Sequence, residues 1–142
     1  MRVLLVSVTL FSVAQGVYEI RTFGDAAMYK DECVRQHAAR GSSLIDYMRR
    51  VPMDAPDDDG RWCVIRCILQ KSDLMDTIRD ELIEAHVHEQ MQYSNAIVED
   101  PDDIRSETER CLREPAADTD GGACQRAYTF FACIQSTEYD LF

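Results

Sequence analysis

Six cysteines follow an apolar leader, and nothing else in the sequence restricts the possible folds as much. Arg2 gives the leader a positive start. Val3 to Val13 then form an apolar run of about eleven residues, too short to cross a bilayer. Ala14-Gln15-Gly16 sets small residues where a signal peptidase reads. We therefore expect a signal peptide over residues 1–16, cleavage after Gly16, and one secreted, extracellular domain over 17–142. In an oxidising compartment Cys33, Cys63, Cys67, Cys111, Cys124 and Cys133 are expected to form three disulfides rather than a metal site. Asn95, followed by Ala96 and Ile97, belongs to no glycosylation sequon.

The rest of the chain reads as helices. Gly24, Gly41, Pro52, Pro56, Gly60, Pro101, Pro115, Gly121 and Gly122 all fall at plausible element boundaries, and no segment between them alternates as a strand would. A first helix is predicted from an N-cap at Asp25 to about Ala39, stopped by Gly41. A second is predicted from Ser42 or Ser43 through Arg50. Pro52–Gly60 reads as an acidic loop. The third helix carries Trp62 to about Lys71, and the fourth spans about Asp76 to Gln92. The fifth has Asp100 as N-cap and Pro101 at its first position, with Asp102 and Asp103 against the positive end of the dipole, and stops at Glu114 before Pro115. The sixth begins after Asp120-Gly121-Gly122 and reaches about Thr137, leaving the tail Glu138–Phe142.

Helical geometry limits how the cysteines pair. Cys63 and Cys67 share one helix face with their Cβ atoms about 6 Å apart, beyond the ~4 Å a disulfide spans. Cys124 and Cys133 leave opposite sides of the sixth helix, about 13 Å apart along its axis. Neither pair can close on itself, which leaves ten of the fifteen pairings open. The sixth helix should be stapled on both flanks.

The pattern Cys33-x29-Cys63-x3-Cys67-x43-Cys111-x12-Cys124-x8-Cys133 resembles the signature of the six-cysteine insect odorant-binding proteins, in which the x3 and x8 gaps are fixed. The segments WCVIRCILQKSDLMD and CQRAYTFFACI are similar to their counterparts in that family. The likeness covers residues 25–137, although the Cys67–Cys111 interval runs a few residues longer than usual. The resemblance implies the pairing Cys33–Cys67, Cys63–Cys124 and Cys111–Cys133, one of the ten that geometry leaves. It also implies an all-α fold of six short helices around an apolar cavity. The implied function is a carrier of small hydrophobic molecules such as odorants or pheromones, with a membrane odorant receptor as a further partner, in a monomer or homodimer.

Charge and missing motifs exclude other classes. A formal charge of −11 repels phosphate backbones and anionic membranes, so neither nucleic acid nor membrane insertion is expected. His86 and His88 point about 200° apart on a helix, and His88-Glu89 lacks the second histidine of HExxH because residue 92 is Gln. Asp57-Asp58-Asp59-Gly60 fails as a calcium loop, since Gly60 in the sixth place puts Ala55 first and Arg66 twelfth. Asp118-x-Asp120-Gly121 fails in the same way. No phosphate-binding glycine loop or nucleophile elbow is present. The sequence points to no enzyme, metal or cofactor.

Candidate ligand-contacting residues come from the apolar stripes. The sixth helix offers Ala127, Phe130, Phe131 and Ile134 at i, i+3, i+4, i+7. The fourth is apolar on two sides, with Leu74, Ile78, Leu82 and Ala85 on one and Ile83, Val87 and Met91 on the other. Of these, Ile78, Leu82, Ile83 and Met91 are the candidates, joined by Met48, Met75 and Ile104. Met28, Met48, Met75 and Met91 would suit an adaptable pocket. Leu141 and Phe142, with Tyr139, are placed to fold back over a cavity mouth. Protonation of carboxylates or of His37, His86 or His88 near pH 5–6 would then loosen such a lid. The competing expectation is a secreted interaction protein on the same fold, a gland or reproductive product acting through an acidic face at Asp57–Asp59 and Glu99–Asp103.

Overall fold

Thr22 and Asp25 open the first helix by bonding each other. The Asp25 carboxylate accepts the Thr22 backbone N–H at 2.9 Å and the Thr22 hydroxyl at 3.0 Å, while the Asp25 N–H donates to Thr22 Oγ1 at 3.2 Å. This is a capping box, so Thr22, three residues before the expected cap, is the N-cap, and Asp25 closes the motif. The backbone bond to Thr22 holds the Asp25 carboxyl below its usual range.

The structure, a computed structural model, describes residues 17–37, 61–97, 100–117 and 122–142. Among the described residues there are five helices: α1 Phe23–His37, α2 Arg61–Lys71, α3 Glu84–Ser94, α4 Pro101–Ala117 and α5 Ala123–Ser136. The helix expected over 42–50, Met48 with it, and the acidic loop 52–60 lie outside the described residues. Asp100 caps α4 as anticipated, its carboxylate accepting the Asp103 N–H at 3.0 Å. That helix does not stop before Pro115. The proline sits inside it, ring buried, giving up only its own N–H bond while helical turns continue to Ala117.

The larger correction concerns residues 73–83, where a helix was expected from Asp76. The Asp76 carboxylate accepts the backbone N–H groups of Ile78 at 2.7 Å and Arg79 at 2.8 Å, closing a turn that competes with helix. Asp80 follows with φ 56°, and Met75 and Leu82 pair as an isolated antiparallel bridge. Arg66 Nε and Gln70 Nε2 each donate to the Asp80 carboxylate at 2.8 Å, tying this loop to α2. Helix α3 therefore starts at Glu84, about eight residues late.

The helices pack in the order α1, α2, α5, α4, α3, each against the next. Three of these four contacts are cross-linked: Cys33–Cys67 joins α1 to α2, Cys63–Cys124 joins α2 to α5, and Cys111–Cys133 joins α4 to α5. This is the pairing the family resemblance implied, with α5 stapled on both flanks. The core lies beneath α5, where Ala127, Phe130 and Ile134 meet Leu69 of α2, Met91 of α3 and Ile104 of α4. Each such large side chain contributes about 1.5–3 kcal/mol on burial. A smaller cluster of Cys33, Val34, Val64 and Cys67 seals α1 against α2.

Candidate functional site

Helix α1 presents Phe23, Ala26, Ala27 and Lys30 at i, i+3, i+4, i+7, a stripe ending in a cation. Across from it stand Ile68 of α2 and Phe131, Ile134 and Gln135 of α5. Together with tail residues 137–142 these side chains line a groove of about 650 Å³. That volume falls within the roughly 300–1,000 Å³ usual for small-molecule sites. Its walls are mainly apolar or aromatic, and Lys30, Gln135, Glu138 and Asp140 supply the charged and amide groups. Another hollow, about 360 Å³ beside Arg79, Glu81, Glu84 and Arg126, is ringed by charge instead.

The tail is the hydrogen-bonded wall of the groove. Thr137 ends α5, donating its N–H to Ile134 O at 3.0 Å, and the chain turns back along α3. Asn95 at the end of α3 then pairs with Asp140 like a strand neighbour. Its Nδ2 donates to Asp140 O at 2.8 Å and its Oδ1 accepts the Asp140 N–H at 3.0 Å. Leu141 O accepts from Ser94 Oγ at 2.9 Å and from Gln90 Nε2 at 3.0 Å. The Tyr139 hydroxyl donates to the Asp103 carboxylate of α4, and that bond raises its pKa well above the ordinary phenol value. Tyr139 and Leu141 are buried by this arrangement.

Of the sequence candidates, Phe131, Ile134, Leu141 and Phe142 meet in the groove. Met75, Met91, Ile104, Ala127 and Phe130 belong to the packed core, and Leu82 packs against it. Ile83 is the residue preceding α3. Ile78, at the tip of the Asp76 turn, is 91% exposed. Met28 is exposed on α1, off the groove. Sequence reasoning passed over Phe23, Ala26, Ala27, Ile68 and the α3 amides. The α1 stripe was legible at helical spacing; nothing local marked Gln90 or Asn95.

None of the three histidines lines the groove. His86 Nδ1–H donates to Asp73 O, 2.6 Å away, and the ring stacks on Tyr18. His88 faces other hollows, between α3 and α4. Among the described residues no group of acidic, histidine or cysteine side chains could hold a metal ion, and no helix is long and apolar enough to cross a membrane.

Comparison with known proteins agrees with this framework. The chain is 29% identical over 145 aligned positions to "Odorant-binding protein 22" of Aedes aegypti, covering 99% of this chain and 94% of that one. It is 25% identical over 126 positions to "General odorant-binding protein 99b" of Drosophila melanogaster, covering 87% and 79%. Residues 18–137, from the buried Tyr18 to the end of α5, match the PBP/GOBP family. With those residues spanning all five helices and all three cross-links, this chain belongs to the PBP/GOBP family of insect odorant-binding proteins.

Proposed function

We propose that the protein is a secreted carrier that takes up small apolar molecules in the groove between α1, α2, α5 and the tail. The observation that carries this reading is the mainly apolar, roughly 650 Å³ groove bounded by cross-linked helices, in a chain whose relatives are named for odorant binding. Burying about 300 Å² of an apolar guest is worth roughly 7 kcal/mol. After immobilisation costs, micromolar affinity follows only with good fit and a polar contact. Thr137 or Gln135, both on the groove wall, would supply that contact. Selectivity by size and hydrophobicity, rather than by one functional group, fits this lining.

Export through the 1–16 leader belongs to the same reading. Sequencing the N-terminus of the protein released by insect cells should return Val17-Tyr18-Glu19. Titration of the released protein with the apolar fluorophore N-phenylnaphthylamine should give saturable uptake at one site, reversed by a competing long-chain alcohol. Absence of uptake would overturn the carrier reading and favour a protein that works through its surface.

A further inference from the structure

Gln90 is fully buried in α3 and holds both residues 18–21 and the C-terminal tail. Its Oε1 accepts the Tyr18 hydroxyl at 2.8 Å and the Arg21 backbone N–H at 2.9 Å. Its Nε2 lies 2.8 Å from Arg21 O, 3.0 Å from Ser94 Oγ and 3.0 Å from Leu141 O, all acceptors for its two N–H bonds. Three of these partners are backbone groups whose polarity cannot reverse. One amide orientation alone satisfies them, and a carboxylate would set an acceptor against two carbonyls. Burial without full pairing costs far more than the net value of each bond, so the five contacts act as a unit.

The N-terminal side of this junction is itself anchored. Arg21 Nη2 meets the Asp73 carboxylate at 2.6 Å, and the Tyr18 ring stacks on His86 with centroids 4.7 Å apart. Burial pushes the Tyr18 phenol up to about 12, so its O–H, already protonated near neutrality, stays a donor to Gln90 further into alkali. The C-terminal side is Leu141, whose backbone bonds fix where Leu141 and Phe142 stand against the groove. No disulfide links residues 18–21 or the tail to α3.

We propose that Gln90 is a positioning residue for ligand binding: it transmits the seating of residues 18–21 to Leu141, so the tail closes the groove only while the N-terminal segment is docked. The inference rests on the groove being the ligand site, and it adds a control element remote from the ligand. The N-terminal segment thereby sets how long a guest is held.

Two substitutions test this in the oxidised, secreted protein, with hydrogen exchange over residues 137–142 and the dissociation rate of N-phenylnaphthylamine as readouts. Tyr18→Phe removes one donor and lines no part of the groove. It should speed both tail exchange and probe release about fivefold, the equivalent of one buried hydrogen bond. Gln90→Met should loosen residues 17–22 and the tail together. In a background carrying Leu141→Ala and Phe142→Ala, Tyr18→Phe should no longer alter probe release, an outcome that a merely structural role would not give. Tail exchange and probe release unchanged by Tyr18→Phe, while residues 17–22 loosen, would overturn the linkage. An unaltered Tyr18→Phe effect in the double-alanine background would do the same. If the unsubstituted protein takes up no probe, the carrier reading fails, whereas accelerated tail exchange would still uphold the linkage.

Discussion

Helices α5 and α3 both contribute to the core, but they are held in different ways. Helix α5 is bonded covalently on both flanks, through Cys124 to α2 and Cys133 to α4. Helix α3 has no cysteine. Val87 and Met91 seat it by apolar packing, and Gln90, Ser94 and Asn95 bind it by hydrogen bonds to residues 18–21 and the tail. Since α1, α2 and α5 form one cross-linked set, three walls of the groove are fixed in place. The fourth wall, the tail, rests on the helix without a staple. On the proposed carrier reading, the stapled half would keep the pocket and the unstapled half would let a guest leave.

Breaking the covalent half should have the largest effect. Removing Cys63–Cys124 by paired substitution to serine should cost about 2–5 kcal/mol and lower the melting temperature accordingly. That bond closes a separation of 61 residues and Cys111–Cys133 one of 22. The chain-entropy view therefore makes the first loss larger by about 1 kcal/mol; equal losses would point to native-state packing instead.

On the unstapled half, Met91→Ala should cost about 2–4 kcal/mol by leaving a cavity beneath α3. The diagnostic is local: amide exchange should rise in α3 and the tail before it rises in α5. Asn95→Ala should cost about 1–3 kcal/mol, since it strands Asp140 N–H and O, and it should weaken fluorophore binding as well. Unchanged affinity in that variant would mean the tail contributes nothing to the groove.

Protons should separate the two halves most gently. Asp25 and Asp76 have carboxyls lowered below 3.8 by backbone N–H bonds, from Thr22 and from Arg79 with Ile78 respectively. Their stabilisation is complete above that pH and is lost as pH falls through the lowered values. Acid should thus fray the start of α1 and the 76–80 turn first. Tyr18, raised to about 12 by burial, and Tyr139, raised by Asp103, work in the opposite direction. What they lend is complete below pH 10 and is lost as pH climbs through their raised values, so alkali should release residues 18–21 and the tail. The amides and hydroxyls of Gln90, Ser94 and Asn95 do not titrate between pH 5 and 8. Melting curves across pH, with Asp76→Asn as control, check both ends of the range.

The cysteine pattern made much of this architecture readable, because spacing four and nine on helices forbids local closure and forces links between elements. Asp100-Pro101 was legible for the same local reason. Asp25 and Asp76 were misread because an aspartate that caps a helix and one that closes a box or a turn look alike in sequence; only the partner N–H groups distinguish them. Leu74, Ile78 and Leu82 carry helical spacing yet straddle a turn, which leaves Ile78 in solvent. The α5 stripe was recognised, but the sequence could not divide it: Phe130 turns into the core, while Phe131, one step around the helix, faces the groove. Gln90 and Asn95 gave no signal, since the partners that tie them to residues 18–21 and the tail lie 45 to 72 residues away.

Filling the groove tests the whole account most directly. Ala26 sits half-buried on its α1 wall, so Ala26→Trp should occupy the space a guest would take. Calorimetric titration with N-phenylnaphthylamine should show one micromolar site in the unsubstituted protein and none in this variant, with the melting temperature of the empty variant held or raised. Undiminished binding in a folded Ala26→Trp protein would place the ligand elsewhere and contradict the account.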